Sequence, residues 1–176
     1  IPPHNIEAEQ SVLGSLLIDK DAIIKIADII TPDSFYKEKH RVIFDAMLDL
    51  YEKREPIDVL SLSSRLQEKS KLDQIGGRSY LTALTNSVPT SSNVVHYAKI
   101  IKKKATLNHL IQAASQISQL AYNEKEEIQT TLDKAESRLF SVSQSHTKQN
   151  FSAIRDMLSS AFDRIDELHH GAGKIR

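Results

Sequence analysis

Few residues in this chain have the types and spacing that chemistry demands. The nearest approach to a phosphate loop is Gly173-Lys174 close to the C-terminal end. Such a loop needs a glycine five residues before the second one, and a Ser or Thr hydroxyl after the lysine to reach magnesium. Those positions hold Leu168 and Ile175, so no nucleotide site is expected here. The seven histidines form no metal motif. His169 and His170 are adjacent and would point to different faces of a helix, and no His-Glu-x-x-His spacing occurs. His40, His96 and His109 read as surface or interface residues. There are no cysteines, which excludes disulfides and thiolate metal sites and suits a reducing cytoplasm. Ser and Asp abound, but no strand-turn-helix context would assemble them into a triad. No catalytic, metal-binding or cofactor-binding residue is therefore assigned. Lys99, Lys102, Lys103 and Lys104 could neutralise a few phosphates in salt-sensitive, nonspecific binding, which makes a helical nucleic-acid-binding module the competing reading. The preferred reading is a solvated face at one end of a long helix.

What the sequence does carry is apolar periodicity. From about Asn93 to Tyr122 one long helix places Leu107, Leu110, Ala114, Ile117 and Ala121 at alternating steps of three and four. A second, from about Glu126 to Val142, does the same with Ile128, Leu132, Ala135, Leu139 and Val142. This is a heptad seam on each arm, and Asn123 with the charged residues after it makes the turn of an antiparallel hairpin. Two helices give each stripe only one neighbour, so the seam predicts further packing. The expected self-association residues are Leu110, Ala114, Ile117, Ala121, Ile128, Leu132, Ala135 and Leu139. The polar run Ser143 to Asn150 reads as a linker. Beyond it, Phe151 to His170 forms a last amphipathic helix with Ile154, Leu158, Phe162, Ile165 and Leu168 on one face, closed by Gly171-Ala172-Gly173. Leaving that stripe in water forfeits about 1.5–3 kcal/mol per large side chain, so it is expected to dock on another domain or subunit.

The first half supplies the support. Asn5 caps a helix with Ala8, Val12, Leu13, Leu16 and Leu17 on its apolar face, and Glu7 and Glu9 sit in its first turn where the helix dipole favours negative charge. Asp19 or Asp21 restarts a helix carrying Ile23, Ile26, Ala27 and Ile30. Thr31-Pro32 breaks it, and Ser34 to Glu52 reads as the next helix. Asp58 caps another, with Ile57 and Leu62 at the spacing of a hydrophobic staple. Gly76-Gly77 is a loop, Tyr80, Leu81 and Leu84 mark a short fifth helix, and Pro89-Thr90-Ser91-Ser92 stops it and offers caps for the hairpin. No stretch alternates with period two. The expected fold is all-α: a globular bundle over 1–92, a hairpin over 93–145, and a linker with its amphipathic helix over 146–176.

Composition agrees. Apolar residues make up 40% of the 176 and charged residues 26%, as in a soluble globular protein. No apolar run reaches the roughly 20 residues needed to span a bilayer, so no membrane partner is expected. The chain opens Ile1-Pro2-Pro3 rather than with Met, and is expected to be a fragment. Residues 1–92 hold 11 Lys and Arg against 14 Asp and Glu, net −3, and residues 93–176 hold 12 against 9, net +3. Neither half has the strongly basic balance of a dedicated nucleic-acid binder.

Four stretches resemble one family. Pro2 to Leu17 (PPHNIEAEQSVLGSLL), Ser34 to Leu50 (SFYKEKHRVIFDAMLDL), Glu55 to Leu66 (EPIDVLSLSSRL) and Gly76 to Ile101 (GGRSYLTALTNSVPTSSNVVHYAKII) are similar to the N-terminal part of DnaB-type bacterial replicative DNA helicases. They occur in order and in register, and the resemblance spans essentially the whole chain. It implies that residues 1 to about 100 are the globular part of the helicase N-terminal domain. The hairpin would pair with that of a neighbour, and such dimers would build the collar of a hexameric ring. Residues from about Phe151 would be the linker helix that docks on an adjacent subunit's motor. The ATP- and Mg-using motor would follow Arg176. The implied partners are other copies of the chain, a DnaG-type primase, a helicase loader, and DNA through the complete ring. The helicase-binding domain of that primase has a related helical fold and is the alternative family, but the quoted segments follow the helicase pattern.

Overall fold

The computed structural model describes residues 1–88 and 93–173, and side chains for all of these except 148–157. The expected stop and caps at Pro89 to Ser92 lie outside the described residues, as do Lys174 and Ile175. Among the described residues every regular element is helical.

The first helix, α1, runs Ile6–Ile18. The Asn5 carboxamide oxygen accepts from the Ala8 N–H at 3.0 Å, one of the orphan amides that a helix start must satisfy. A short α2, Ala22–Ile26, follows after the Asp21 N–H donates to Asp19 Oδ1 at 2.9 Å. It buries Ile23 and Ile26, and Ile30 is buried just past its end. Pro32–Ser34 is one turn of 3-10 helix. The next helix, α3, spans Glu38–Glu52, four residues later than Ser34. The delay has a cause: the Glu9 carboxylate accepts from the backbone N–H groups of Tyr36 at 2.8 Å and Lys37 at 3.3 Å, which holds the chain extended there. Asp58 caps α4, Val59–Glu68, accepting from the Ser61 N–H at 2.7 Å. Leu62 is fully buried and Ile57 packs on the core, as the staple requires. A 3-10 turn, Asp73–Ile75, leads through Gly76 at φ 102° into α5, Gly77–Asn86.

These elements share one core. Val12, Leu13 and Leu16 of α1 meet Phe44 and Met47 of α3, Leu62 and Leu66 of α4, and Leu81 and Leu84 of α5 in a single buried cluster. The first third of α6, Val94–Tyr122, belongs to the same cluster through Val94, Ala98 and Ile101. The head therefore grips the base of the long helix, which at about 1.5 Å per residue extends roughly 44 Å. After the turn at Asn123, α7 runs Ile128–Gly173 as one helix of 46 residues.

That continuity corrects the expected linker. Ser143 to Asn150 is helical, because polar residues such as Gln, Ser and Lys are compatible with helix and nothing there breaks one. No glycine or proline occurs between Pro89 and Gly171. The apolar stripe lapses over this stretch, but the backbone hydrogen bonding does not need it.

Candidate interaction surface

The two arms meet along a narrow seam that differs by one position from the heptad reading. Ala113 is buried, and Ile117 and Leu120 are half-buried, on α6. Thr131, Ala135 and Val142 are half-buried on α7. On a helix of 3.6 residues per turn, each of these sets falls within an arc of about 60°. Ile117 and Ala135 thus belong to the contact within the hairpin.

The remaining expected seam residues lie beside this contact, on one open face. Leu110, Ala114 and Ala121 come from α6, and Ile128, Leu132 and Leu139 from α7. Relative to the internal seam they are rotated by about 60–100° on each helix. All six are exposed, Leu132 at 49% and Leu139 at 51%. Leu110 is exposed at 43%. The other face of the hairpin is polar: His109, Gln112 and Gln116 of α6 oppose Lys134, Ser137, Arg138 and Ser141 of α7 across a groove of about 580 Å³. A two-helix slab with one greasy face and one polar face is amphipathic as a unit, and packing with a like face would bury the greasy side.

On the distal part of α7, Leu158, Phe162, Ile165 and Leu168 are all exposed, Phe162 at 66%. They recur at three and four residues and share a stripe. The side chain of Ile154 lies outside the described residues.

The lysine cluster divides. Lys99 and Lys103 are exposed, while Lys102 and Lys104 are half-buried. Burial pushes the Lys102 ammonium below its ordinary value. Ala98, Ile101 and Ala105 on the same turns face the core; Lys99, Lys102 and Lys103, at i, i+3 and i+4, share one side of the helix, and Lys104 falls on another.

One expectation is wrong outright. His40 is not a surface residue but fully buried, with hydrogen bonds on both ring nitrogens. Its Nδ1 lies 2.7 Å from Glu9 Oε1, and its Nε2 lies 2.6 Å from the Tyr80 hydroxyl. Glu9 is 2% exposed. A carboxylate only accepts, so the Nδ1–H donates to Glu9, and in the neutral ring that leaves Nε2 to accept from the Tyr80 O–H. The sequence held the signal: Glu9 is followed at three, four and seven residues by Val12, Leu13 and Leu16, and His40 likewise by Ile43, Phe44 and Met47. Each polar residue sits on the buried face of its helix.

A second polar cluster ties α3 to α4 at the surface. Arg65 bonds Asp49 and, at 2.8 Å, Glu55, and Lys53 and Lys69 lie 3.7 Å from Asp49. The Arg65 hydrogen bond holds the Asp49 carboxyl below its ordinary value, and the same bond raises Arg65. Among the described residues no group of three or more His, Asp or Glu side chains could hold a metal ion. No helix among them is long and apolar enough to cross a membrane.

The head with a projecting amphipathic hairpin defines an all-α domain that presents helix faces. Comparison with known proteins says which. The profile of the DnaB-like helicase N-terminal domain matches residues 1–103, more than half of the chain. The replicative DNA helicase DnaC of Bacillus subtilis is 39% identical over 175 residues, and the replicative DNA helicase DnaB of Geobacillus stearothermophilus is also 39% identical over 175 residues. Each match takes in 99% of this chain, and the chain spans 38% of the length of each relative. The crystal structure of the N-terminal domain of DnaB helicase from Mycobacterium tuberculosis superposes with a TM-score of 0.77 at 37% identity, covering 81% of this chain and 99% of that one. A DnaB-like replicative helicase whose structure was described with its interactions with primase matches with a TM-score of 0.67 at 28% identity, covering 84% of this chain and 35% of that one. The chain belongs to the DnaB-like helicase N-terminal domain family.

Proposed function

We propose that this chain is the assembly and docking domain of a hexameric replicative DNA helicase. The hairpin pairs with that of a second copy through Leu110, Ala114, Ala121, Ile128, Leu132 and Leu139, and such dimers form the collar of the ring. The collar presents a surface to a DnaG-type primase and to a helicase loader. The stripe Ile154, Leu158, Phe162, Ile165 and Leu168 docks on the motor of an adjacent subunit. ATP and Mg are used by that motor, and DNA passes through the complete ring in the cytoplasm. The chain alone performs no turnover.

The observation that carries this reading is the open apolar face to which both arms contribute. Six exposed apolar residues at heptad spacing are an interface signature. The coverage of 38% of two replicative helicases leaves room for a motor beyond these residues. The similarity to a helicase described with primase supports that partner. Light scattering over a concentration series tests the assembly part: mass rises toward a dimer or higher species, and a strict monomer at high micromolar concentration would overturn it. Titration with the C-terminal domain of a DnaG-type primase tests docking. ATP hydrolysis by this chain alone would contradict the division of labour.

A further inference from the structure

The Glu9–His40–Tyr80 chain of hydrogen bonds joins three helices that are far apart in sequence, and it ends on backbone. Glu9 of α1 accepts from the Tyr36 and Lys37 amides as well as from His40 of α3. Tyr80 of α5 closes the other end through its hydroxyl. Its ring is half-buried, stacked near His40 with centroids 6.0 Å apart, and the Lys39 ammonium sits 3.9 Å from its centroid on the outside. Gly76, at φ 102°, makes room for it: a Cβ there would lie 3.0 Å from the Tyr80 Cβ.

The turn held by Glu9 is a wall. Phe35 and Tyr36 line a cavity of about 180 Å³ at the base of the hairpin together with Pro2, Asn108 and Ile111. The same neck is tied by the Asn108 amide donating to the Pro3 carbonyl at 2.7 Å, and by the Tyr36 ring stacked 4.3 Å from His4. Every donor and acceptor from Tyr80 to the Lys37 amide is therefore connected, and each depends on the orientation of the next.

We propose that Glu9, His40 and Tyr80 form a latch through which a change at Tyr80, on the outside of α5, loosens the Phe35–Lys37 turn at the neck of the hairpin. His40 is the transmitting element. With the Tyr80 hydroxyl gone, its buried Nε2 has lost its partner, and the ring reorients at the expense of its bond to Glu9. The carboxylate then holds the two amides less firmly. This role is independent of how many copies assemble.

Amide hydrogen exchange on the whole chain tests it, comparing Tyr80→Phe and Glu9→Gln with the parent. The α4 amides serve in the same samples as the report of global unfolding. Glu9→Gln marks the effect of weakening the acceptor itself. In Tyr80→Phe, exchange at Tyr36 and Lys37 should rise about five- to tenfold while the α4 rates stay unchanged. Both amides bond to Glu9 and the Tyr80 hydroxyl bonds to His40, so a merely local packing role would not move them. Unchanged rates at Tyr36 and Lys37, or an equal rise across α4, would overturn the latch.

Discussion

A carboxylate and an imidazole occupy positions in this core where apolar side chains would ordinarily sit. Their burial is tolerable because every polar atom is used: Glu9 receives three donors and His40 is bonded at both nitrogens. Replacing one partner strands the other. His40→Leu should therefore lower unfolding free energy in urea by about 3–5 kcal/mol, well beyond an ordinary point substitution. The surface pair behaves differently. Arg65 holds Asp49 below its ordinary value of 3.8, so the folded state favours the ionised form. The resulting stability is complete above 3.8 and is lost as pH falls through the lower folded-state value. Asp49→Asn should flatten the acid limb of the stability–pH profile, measured by thermal unfolding at several pH values, by lowering the neutral-pH midpoint towards the acid one, and only modestly because the pair is partly solvated.

Among the elements, α1 and α5 come into close approach at Gly14. A Cβ there would overlap a Val88 methyl and the Leu84 carbonyl oxygen, and the latter is backbone within α5 and cannot move far. Gly14→Ala removes backbone freedom from the unfolded chain, which favours folding, but the overlap outweighs it. Destabilisation of about 1–3 kcal/mol by urea unfolding is the expected outcome. The long helices make the complementary point. In α7 the apolar stripe of the hairpin and that of the distal part are separated by Ser143 to Asn150, yet a single helix carries both. Helix continuity follows from the absence of breakers, whereas an apolar stripe reports only where a helix has something to touch.

For the whole molecule, the two faces of the hairpin have distinct consequences. Leu132→Glu and Leu139→Glu alter exposed residues on the apolar face and should lower the mass seen by light scattering while helical circular dichroism and the unfolding midpoint are retained. Ala113→Glu places a charge at a 5% exposed site between the arms, and should open the hairpin and reduce helicity. Equal loss of helicity in all three variants would sink the assignment of the open face to self-association.

The sequence alone determined the helical class, the caps at Asn5 and Asp58, the hairpin and its turn, because these depend on neighbours within a few residues. The four motif stretches were enough to place the chain in its family. Three features were decided only by tertiary packing. The start of α3 at Glu38 is set by a carboxylate 27 residues upstream that takes the Tyr36 amide out of the helix. The division of the heptad residues between an inner seam and an open face depends on how the arms rotate against each other, a relative angle that no local pattern encodes. His40 and Tyr80 are 40 residues apart, and what makes them partners is that α3 and α5 close over the same core.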